Sequence, residues 1–126
     1  MNRDVFEYAL IRVVPRLERG ELVNAGVIVY CQARSYLAAH CHLDPDRLRA
    51  LDPDVDIDGV HRALHATQLI CAGGPDAGPA GHDDPGRRFR WLTAPRSTIV
   101  QPGPIHTGLT TDPAAEATRL LDLLVR

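Results

Sequence analysis

The chain contains no lysine, and all 14 of its basic residues are arginine. This absence excludes reactions that need a lysine side chain, such as a P-loop lysine on a phosphate, Schiff-base formation or a lysine general base. Cysteine is also scarce. Cys31, Cys41 and Cys71 form no C-x-x-C pair and have apolar neighbours, so we expect reduced core thiols rather than a disulfide scaffold or a zinc knuckle.

The sequence has no basic excess and no long hydrophobic run. Its net charge of −2 argues against a nucleic-acid binder, which usually carries surplus positive charge. No apolar stretch approaches the roughly 20 residues of a membrane helix. Asp4 and Glu7 interrupt the N-terminal apolar stretch and no small-residue cleavage site follows it, so this stretch predicts a strand and not a signal peptide. We expect a cytoplasmic protein with no nucleic acid or membrane as partner.

The pattern of β-branched and aromatic residues predicts an antiparallel sheet. A chain of 126 residues, 44% hydrophobic, is expected to form a single domain over 1–126. Residues 5–15 and 22–31 are strand-like, and Gly20 lies in the polar connection between them. Residues 36–43 alternate apolar and polar side chains. We therefore expect a three-stranded N-terminal meander, followed by one or two later short strands from "STIVQ" and "PIHTG".

The intervening segments predict helices and one loop. Leu-Asp-Pro-Asp occurs at 43–46 and again at 51–54, and each copy resembles a helix start with aspartate as N-cap. Amphipathic periodicity predicts a helix over 57–72 and a final helix capped by Asp112, with a short helix in "RRFRWLTA". The Gly/Pro-rich 73–86 segment predicts a flexible loop without regular structure. The predicted fold is α+β, with the helices packed on one face of the sheet.

Histidine and acidic clusters give no metal or cofactor assignment. His61 and His65 are spaced i, i+4 as in some zinc helices, but no third ligand of fixed geometry accompanies them. The "HDD" at 82–84 lacks the spacing of a calcium loop. His40 and His42 share one side of a strand, which fits a metal or a catalytic base as well as an exposed or covered sheet face. We predict no cofactor and no metal site.

A first candidate binding position lies in the N-terminal hairpin. Arg12 interrupts an apolar strand, and pairing around the 16–21 connection would place it opposite Asn24. A guanidinium at such a position needs a carboxylate or a ligand, because burying it alone is costly. The structural alternative is an ion pair with Glu7 or Glu18.

The second candidate stretch is "RFRWLTAPRSTIVQPGPIHTGLTTDP" at 88–113. Arginine forks next to hydroxyls suit phosphate or carboxylate recognition, and Trp91 offers a stacking face. The stretch also contains one histidine, His106, and histidine is the side chain suited to proton transfer near neutral pH. Alternatively, Trp91 and Leu92 fill the core while the arginines are solvated. The predicted ligand-binding set is Arg12, Arg16, Asn24, Arg90, Trp91, Arg96, Ser97, Thr98, Gln101 and His106.

Two blocks, "YALIRVVPRLERGELVNAGVIVYC" at 8–31 and "FRWLTAPRSTIVQPGPIHTGLTTDP" at 89–113, resemble a bacterial family. It is the domain-of-unknown-function family catalogued under the number 3037. The resemblance covers nearly the whole chain but carries no agreed catalytic residues. Because members are often encoded beside kinases that resemble the HipA toxin family, the resemblance implies a partner or regulator role, with such a kinase as the partner.

Three functions follow from these observations. The favoured hypothesis is a non-enzymatic binding or adaptor module for a protein partner or a phosphate-bearing small molecule, since no nucleophile–base pair is visible. The alternative is an enzyme acting on a phosphoester or nucleotide, with His106 as general acid/base and Arg12 and Arg96 stabilising negative charge. It requires these three groups to converge. A DNA binder is disfavoured by the acidic balance and the lack of a helix-turn-helix pattern.

Overall fold

The computed structural model describes residues 2–126 and has the predicted α+β class. Five strands and four α-helices follow one another in the order βββαααββα, with 3-10 segments at Gln32–Arg34 and Pro75–His82. In chain order they are β1 (Asp4–Val13), β2 (Val23–Cys31), β3 (Tyr36–Cys41), α1 (Pro45–Leu51), α2 (Ile57–Ala72), α3 (Pro85–Thr93), β4 (Val100–Pro102), β5 (His106–Thr110) and α4 (Pro113–Leu124).

All strands belong to one antiparallel sheet with the order β3-β2-β1-β4, and β5 also pairs with β1. The long strand β1 therefore has β2 on one side, and β5 and β4 successively on the other. The predicted meander and two later strands are confirmed. So is the predicted register, because Arg12 lies opposite Asn24 next to a bulge after Ile11.

The helices cover both faces of the sheet, unlike the one-face packing that the sequence suggested. Ile28 of β2 packs in one cluster with buried residues of the first three helices, such as Leu48, Leu64 and Phe89. Val27 and Val29 pack in the other cluster with α4. The physical reason is that β2 carries apolar side chains in both directions, so each of its faces needs cover.

Aspartate caps begin all four helices. Asp44, Asp56, Asp84 and Asp112 each accept hydrogen bonds from backbone N–H groups of the first turn, which satisfies donors that have no partner within the helix. The predicted helix start at the second Leu-Asp-Pro-Asp is wrong. Asp52 Oδ1 instead accepts from the N–H of Asp54 at 3.1 Å in a turn, and α2 begins only after Asp56.

The 73–86 segment has regular structure, contrary to the prediction of an irregular loop. Its central part is 3-10 helical, and α3 begins within it at Pro85. Backbone hydrogen bonds within the segment join Ala77 to Gly74 and Asp83 to Ala80, and a further contribution comes from the buried Arg88 just outside it. Its Nη1 donates to the carbonyls of Ile70 and Cys71, both at 2.7 Å, and its Nε donates to that of Asp83 at 3.1 Å. One guanidinium thus joins the C-terminal end of α2 to the segment that follows it.

Within residues 2–126 no helix is long and apolar enough to cross a membrane. All three cysteines are free; Cys31 and Cys71 are buried and Cys41 is half-buried. Desolvation raises the pKa of the Cys41 thiol to about 11 and that of Cys71 to about 12. The three cysteines are thus unpaired thiols, as the sequence predicted, and burial favours the neutral form of Cys41 and Cys71.

Candidate functional site

Most arginines of the described chain are matched by acids. Ten of them lie within 4.0 Å of a carboxylate oxygen. Two of the ten are in the predicted binding set. Arg90 makes a two-pronged pair with Glu7, each Nη nitrogen donating at 2.8 Å, and Arg16 lies 3.7 Å from Asp52. These two guanidinium groups already have anionic partners within the fold.

Arg96 is held by the end of α3. Its Nη2 donates to the carbonyl of Trp91 at 2.5 Å and its Nε to that of Ala94 at 3.4 Å. Its guanidinium carbon also stacks over the Trp91 ring, 5.0 Å from the centroid. Trp91 is 53% exposed and only Leu92 is buried, so the core-filling alternative applies to the leucine and not to the tryptophan.

The polar residues before β4 stabilise their own turn. Thr98 Oγ1 donates to the carbonyl of Val100 at 2.7 Å, and Gln101 Nε2 donates to the carbonyl of Thr98 at 2.8 Å. Ser97 is exposed beside them. Thr98 and Gln101 therefore fix the entry of the chain into β4, and Gln101 also lines a small cavity together with Arg96.

His106 lies apart from both candidate arginines. It is exposed on β5 opposite Tyr8, with the two ring centroids 5.2 Å apart. Arg12 lies four residues beyond Tyr8 on β1, about 13 Å along the strand. Arg96 is on the other face of the sheet, where it lines a small cavity with Ile11 and Leu92. The three groups that the enzyme hypothesis requires do not share a cleft.

Among residues 2–126, Arg12, Arg88 and Arg96 all lack a salt bridge, but the guanidinium groups of Arg88 and Arg96 donate to backbone carbonyls, whereas Nε of Arg12 is buried without a partner. Arg12 lies on the α4 face of the sheet between its register partners Asn24 on β2 and Gln101 on β4. Its guanidinium contacts Gly103: a Cβ at this glycine would be 2.9 Å from Nε and 3.0 Å from Cζ. We call Arg12, Asn24, Gln101 and Gly103 the Arg12 site.

No acid neutralises Arg12 within the described residues. The expected partner Glu7 is taken by Arg90, and the salt bridges of residues 2–126 include none to Arg12 or to Glu18. The ion-pair alternative considered for Arg12 is therefore wrong. A positive charge lies on a central strand without a counter-charge.

Two side-chain atoms at this site are buried without a hydrogen-bond partner, namely Nε of Arg12 and Oδ1 of Asn24. Each such atom costs about 1–3 kcal/mol of desolvation that no bond offsets. The nitrogen of the Asn24 amide does have a partner: Nδ2 donates to the carbonyl of Leu124 at 3.2 Å. This hydrogen bond joins β2 to the end of α4. The Arg12 site is therefore positively charged and fixed on the strands of the sheet, and two of its buried polar atoms lack hydrogen-bond partners among the described residues.

The sequence interpretation overlooked Gly103. The available signal was its position between Pro102 and Pro104, directly after a predicted strand. A glycine at such a place often allows another group to approach the backbone closely. Here that group is the Arg12 guanidinium. The histidine pair His61 and His65 lies exposed on α2, and the described residues contain no group of three or more potential ligands placed for a metal ion.

This α+β domain matches a family model over residues 8–125, nearly its whole length, and the family is described as protein of unknown function, DUF3037. The chain belongs to this family, as the two sequence blocks indicated. Comparison with curated proteins and with solved structures gives no match to the chain.

Proposed function

We propose that this protein is a non-enzymatic binding module that recognises an oxyanion, a carboxylate or phosphate group on a protein partner, through Arg12. The observation that carries the proposal is the missing counter-charge of Arg12 on a central strand, in a chain where ten other arginines are paired. A planar guanidinium donates two parallel hydrogen bonds to an oxyanion, which fixes the orientation of the bound group.

The position of Arg12 favours recognition over stability. Because Gly103 has no side chain, the guanidinium can lie close to this residue, next to β1 and β4, and such confinement reduces the conformational entropy lost on binding. The unpaired Nε and the unpaired Asn24 Oδ1 are unfavourable for folding. Buried unsatisfied groups of this kind are rare in native proteins and call for an explanation beyond stability.

A kinase partner, which the family resemblance implies, is chemically compatible with this site. Such a partner offers acidic side chains and phosphorylated hydroxyl residues, and both present planar or trigonal sets of oxygen acceptors. The two sources of oxyanion differ in charge and can be separated by experiment.

Binding of short peptides tests the proposal. The probes are acetyl-Gly-Asp-Gly-amide, acetyl-Gly-phosphoserine-Gly-amide and the unphosphorylated serine peptide, titrated while backbone amide resonances are followed by NMR. We expect the charged peptides to shift Asn24, Gln101 and Gly103, and the serine peptide to leave them unchanged. Arg12→Gln should abolish these shifts. Arg62→Gln, which alters an arginine that is 74% exposed, is the matched control and should preserve them.

Two outcomes would overturn the proposal. One is a set of equal shifts at arginines all over the surface, which would indicate nonspecific electrostatic attraction. The other is binding that survives Arg12→Gln unchanged, which would place the oxyanion elsewhere.

A further inference from the structure

A second recess lies on the opposite face of the sheet from the Arg12 site. It is a cavity of about 510 Å³ between the α1–α2 turn, the start of α2 and the segment entering β4. Its floor is apolar and includes Val55, Val60, Ala63, Ile99 and Val100. Val60 and Val100 belong to the core cluster under the first three helices, so the floor is continuous with the rigid interior.

Three carboxylates line the same cavity: Asp52, Asp54 and Asp56. Two arginines offset part of this charge. Arg16 is 3.7 Å from Asp52, and Arg62 is 3.8 Å from Asp56. Three carboxylates against two arginines leave the cavity with a net negative charge, and solvent screens the pair formed by the 74% exposed Arg62.

The three aspartates differ in the hydrogen bonds and salt bridges that their carboxylates already form. Asp56 Oδ1 caps α2 by accepting from the N–H of Gly59 at 2.9 Å, and Asp52 Oδ1 accepts from Asp54. The carboxylate of Asp54 forms no hydrogen bond or salt bridge with any other residue of the 2–126 range. It is exposed at the mouth of the cavity and has the greatest capacity for an external cation.

An apolar floor and a negatively charged mouth together favour a ligand that has an apolar stem and a positively charged end. A simple metal ion gains nothing from the apolar surface, and a purely apolar guest gains nothing from the carboxylates. An arginine side chain suits both, because its methylene stem covers apolar surface while its guanidinium stays at the rim and forms paired hydrogen bonds with carboxylates.

We propose that this cavity, defined here as the acidic pocket, is the docking site for an arginine side chain of a partner protein. The argument is charge complementarity together with the apolar floor, and it does not depend on the Arg12 site. Because the two sites lie on opposite faces of the β1–β4 pair, either can fail experimentally without the other.

A matched pair of peptides tests the acidic pocket. Acetyl-Leu-Arg-Leu-amide is titrated into the full-length protein and compared with the same peptide carrying citrulline, which keeps the shape of arginine but has no charge. We expect the arginine peptide to shift the backbone amides of Val55, Gly59, Ala63 and Ile99. The citrulline peptide should bind about tenfold more weakly, as expected for the loss of a charge-assisted hydrogen bond.

Two substitutions and their controls locate the binding. Asp54→Asn should weaken the arginine peptide several-fold, whereas Asp58→Asn, in the first turn of α2 but outside the cavity lining, should not. Ala63→Leu fills the floor and should abolish binding. Ala66→Leu, at an exposed position of the same helix, should leave it intact. Arg12→Gln should have no effect, which separates this proposal from the oxyanion site.

Several results would overturn the assignment. Equal binding of the arginine and citrulline peptides would remove the role of charge, and insensitivity to both Asp54→Asn and Ala63→Leu would place the peptide elsewhere. If n-butylguanidinium binds in the pocket but the peptide does not, the pocket takes a free small cation and not a protein segment. Self-association of the protein alone, lost in Asp54→Asn, would assign the pocket to a second copy of the chain.

Discussion

The guanidinium of Arg12 rests directly on the backbone of Gly103. A side chain of even one carbon at Gly103 would stand 2.9 Å from Arg12 Nε, closer than ordinary van der Waals contact permits. Backbone pairing fixes the two residues relative to each other, since the N–H of Gly103 donates to the carbonyl of Leu10 at 2.8 Å. The location of the unpaired charge therefore depends on a glycine contributed by the far end of the chain.

Gly103→Ala should displace the Arg12 guanidinium. Because the clash is with the end of a flexible side chain, the guanidinium can shift, and we expect a loss of stability of no more than about 1 kcal/mol, at the low end for an overpacked site. Binding of the phosphoserine peptide should fall about tenfold. Urea unfolding and the NMR titration measure the two effects. Unchanged peptide affinity in a folded Gly103→Ala protein would show that the guanidinium position is not needed for recognition.

Arg12→Met should separate stability from binding. It replaces a buried donor that has no partner with an apolar side chain of similar length, so the free energy of unfolding should stay the same or rise by about 1 kcal/mol. Oxyanion binding should be lost. If urea unfolding shows a loss of more than about 2 kcal/mol instead, Arg12 serves the fold and its charge is not held for a ligand.

Arg88→Met should be among the most destabilising arginine substitutions. It leaves the carbonyls of Ile70, Cys71 and Asp83 without their donor, and we expect a cost of about 3 kcal/mol. Amide hydrogen exchange should accelerate over residues 75–82. The neighbouring Arg87→Met changes a side chain that is 77% exposed and should alter stability by less than about 0.5 kcal/mol. Equal effects of the two substitutions would contradict the role assigned to Arg88.

Stability should decrease as the pH rises above 9. The ordinary thiol pKa is 9.0, whereas burial raises the pKa of Cys41 to about 11 and that of Cys71 to about 12. Between pH 9 and 11 the thiols of the unfolded chain lose protons that the folded chain keeps. The unfolded state then binds fewer protons, so the free energy of unfolding falls with pH, by at most about 1.4 kcal/mol per pH unit for each thiol.

Urea unfolding at pH 7, 9 and 10 measures this slope. A Cys41→Ala, Cys71→Ala double variant is the control, because it removes the thiol contribution while other titrating groups remain. The slope should be smaller in the double variant. Identical slopes in the two proteins would show that the buried thiols do not contribute to the alkaline loss of stability.

The local parts of the fold were predictable from the sequence. The pairing of Arg12 with Asn24 follows from two strands joined by a short polar connection, and the helix over 57–72 follows from its apolar period. The arrangement of the helices on two faces was not predicted, because it depends on which side of β2 each helix reaches. The 73–86 segment was misjudged for a related reason, since the distant contacts of Arg88 add to the hydrogen bonds within the segment.

The candidate site was only partly predictable. Asn24 does lie opposite Arg12, as strand pairing implied, whereas the pairing of Gln101 with Arg12 on the other side was not predicted. The partner of Arg90 is Glu7, which is 83 positions away in the sequence, and no local pattern indicates such a contact. An arginine-rich stretch reveals where positive charge is available. Only the tertiary structure determines which of those charges remain without a counter-charge.

The most direct test of the central claim follows the Nε–H resonance of Arg12 by NMR during titration with inorganic phosphate. If Arg12 receives the oxyanion, its side-chain resonance shifts and saturates together with the backbone amide of Gly103, while the Nε–H resonance of the paired Arg90 stays in place. If the Arg12 resonance does not move, or moves only in parallel with the exposed arginines, the oxyanion site proposed here does not exist.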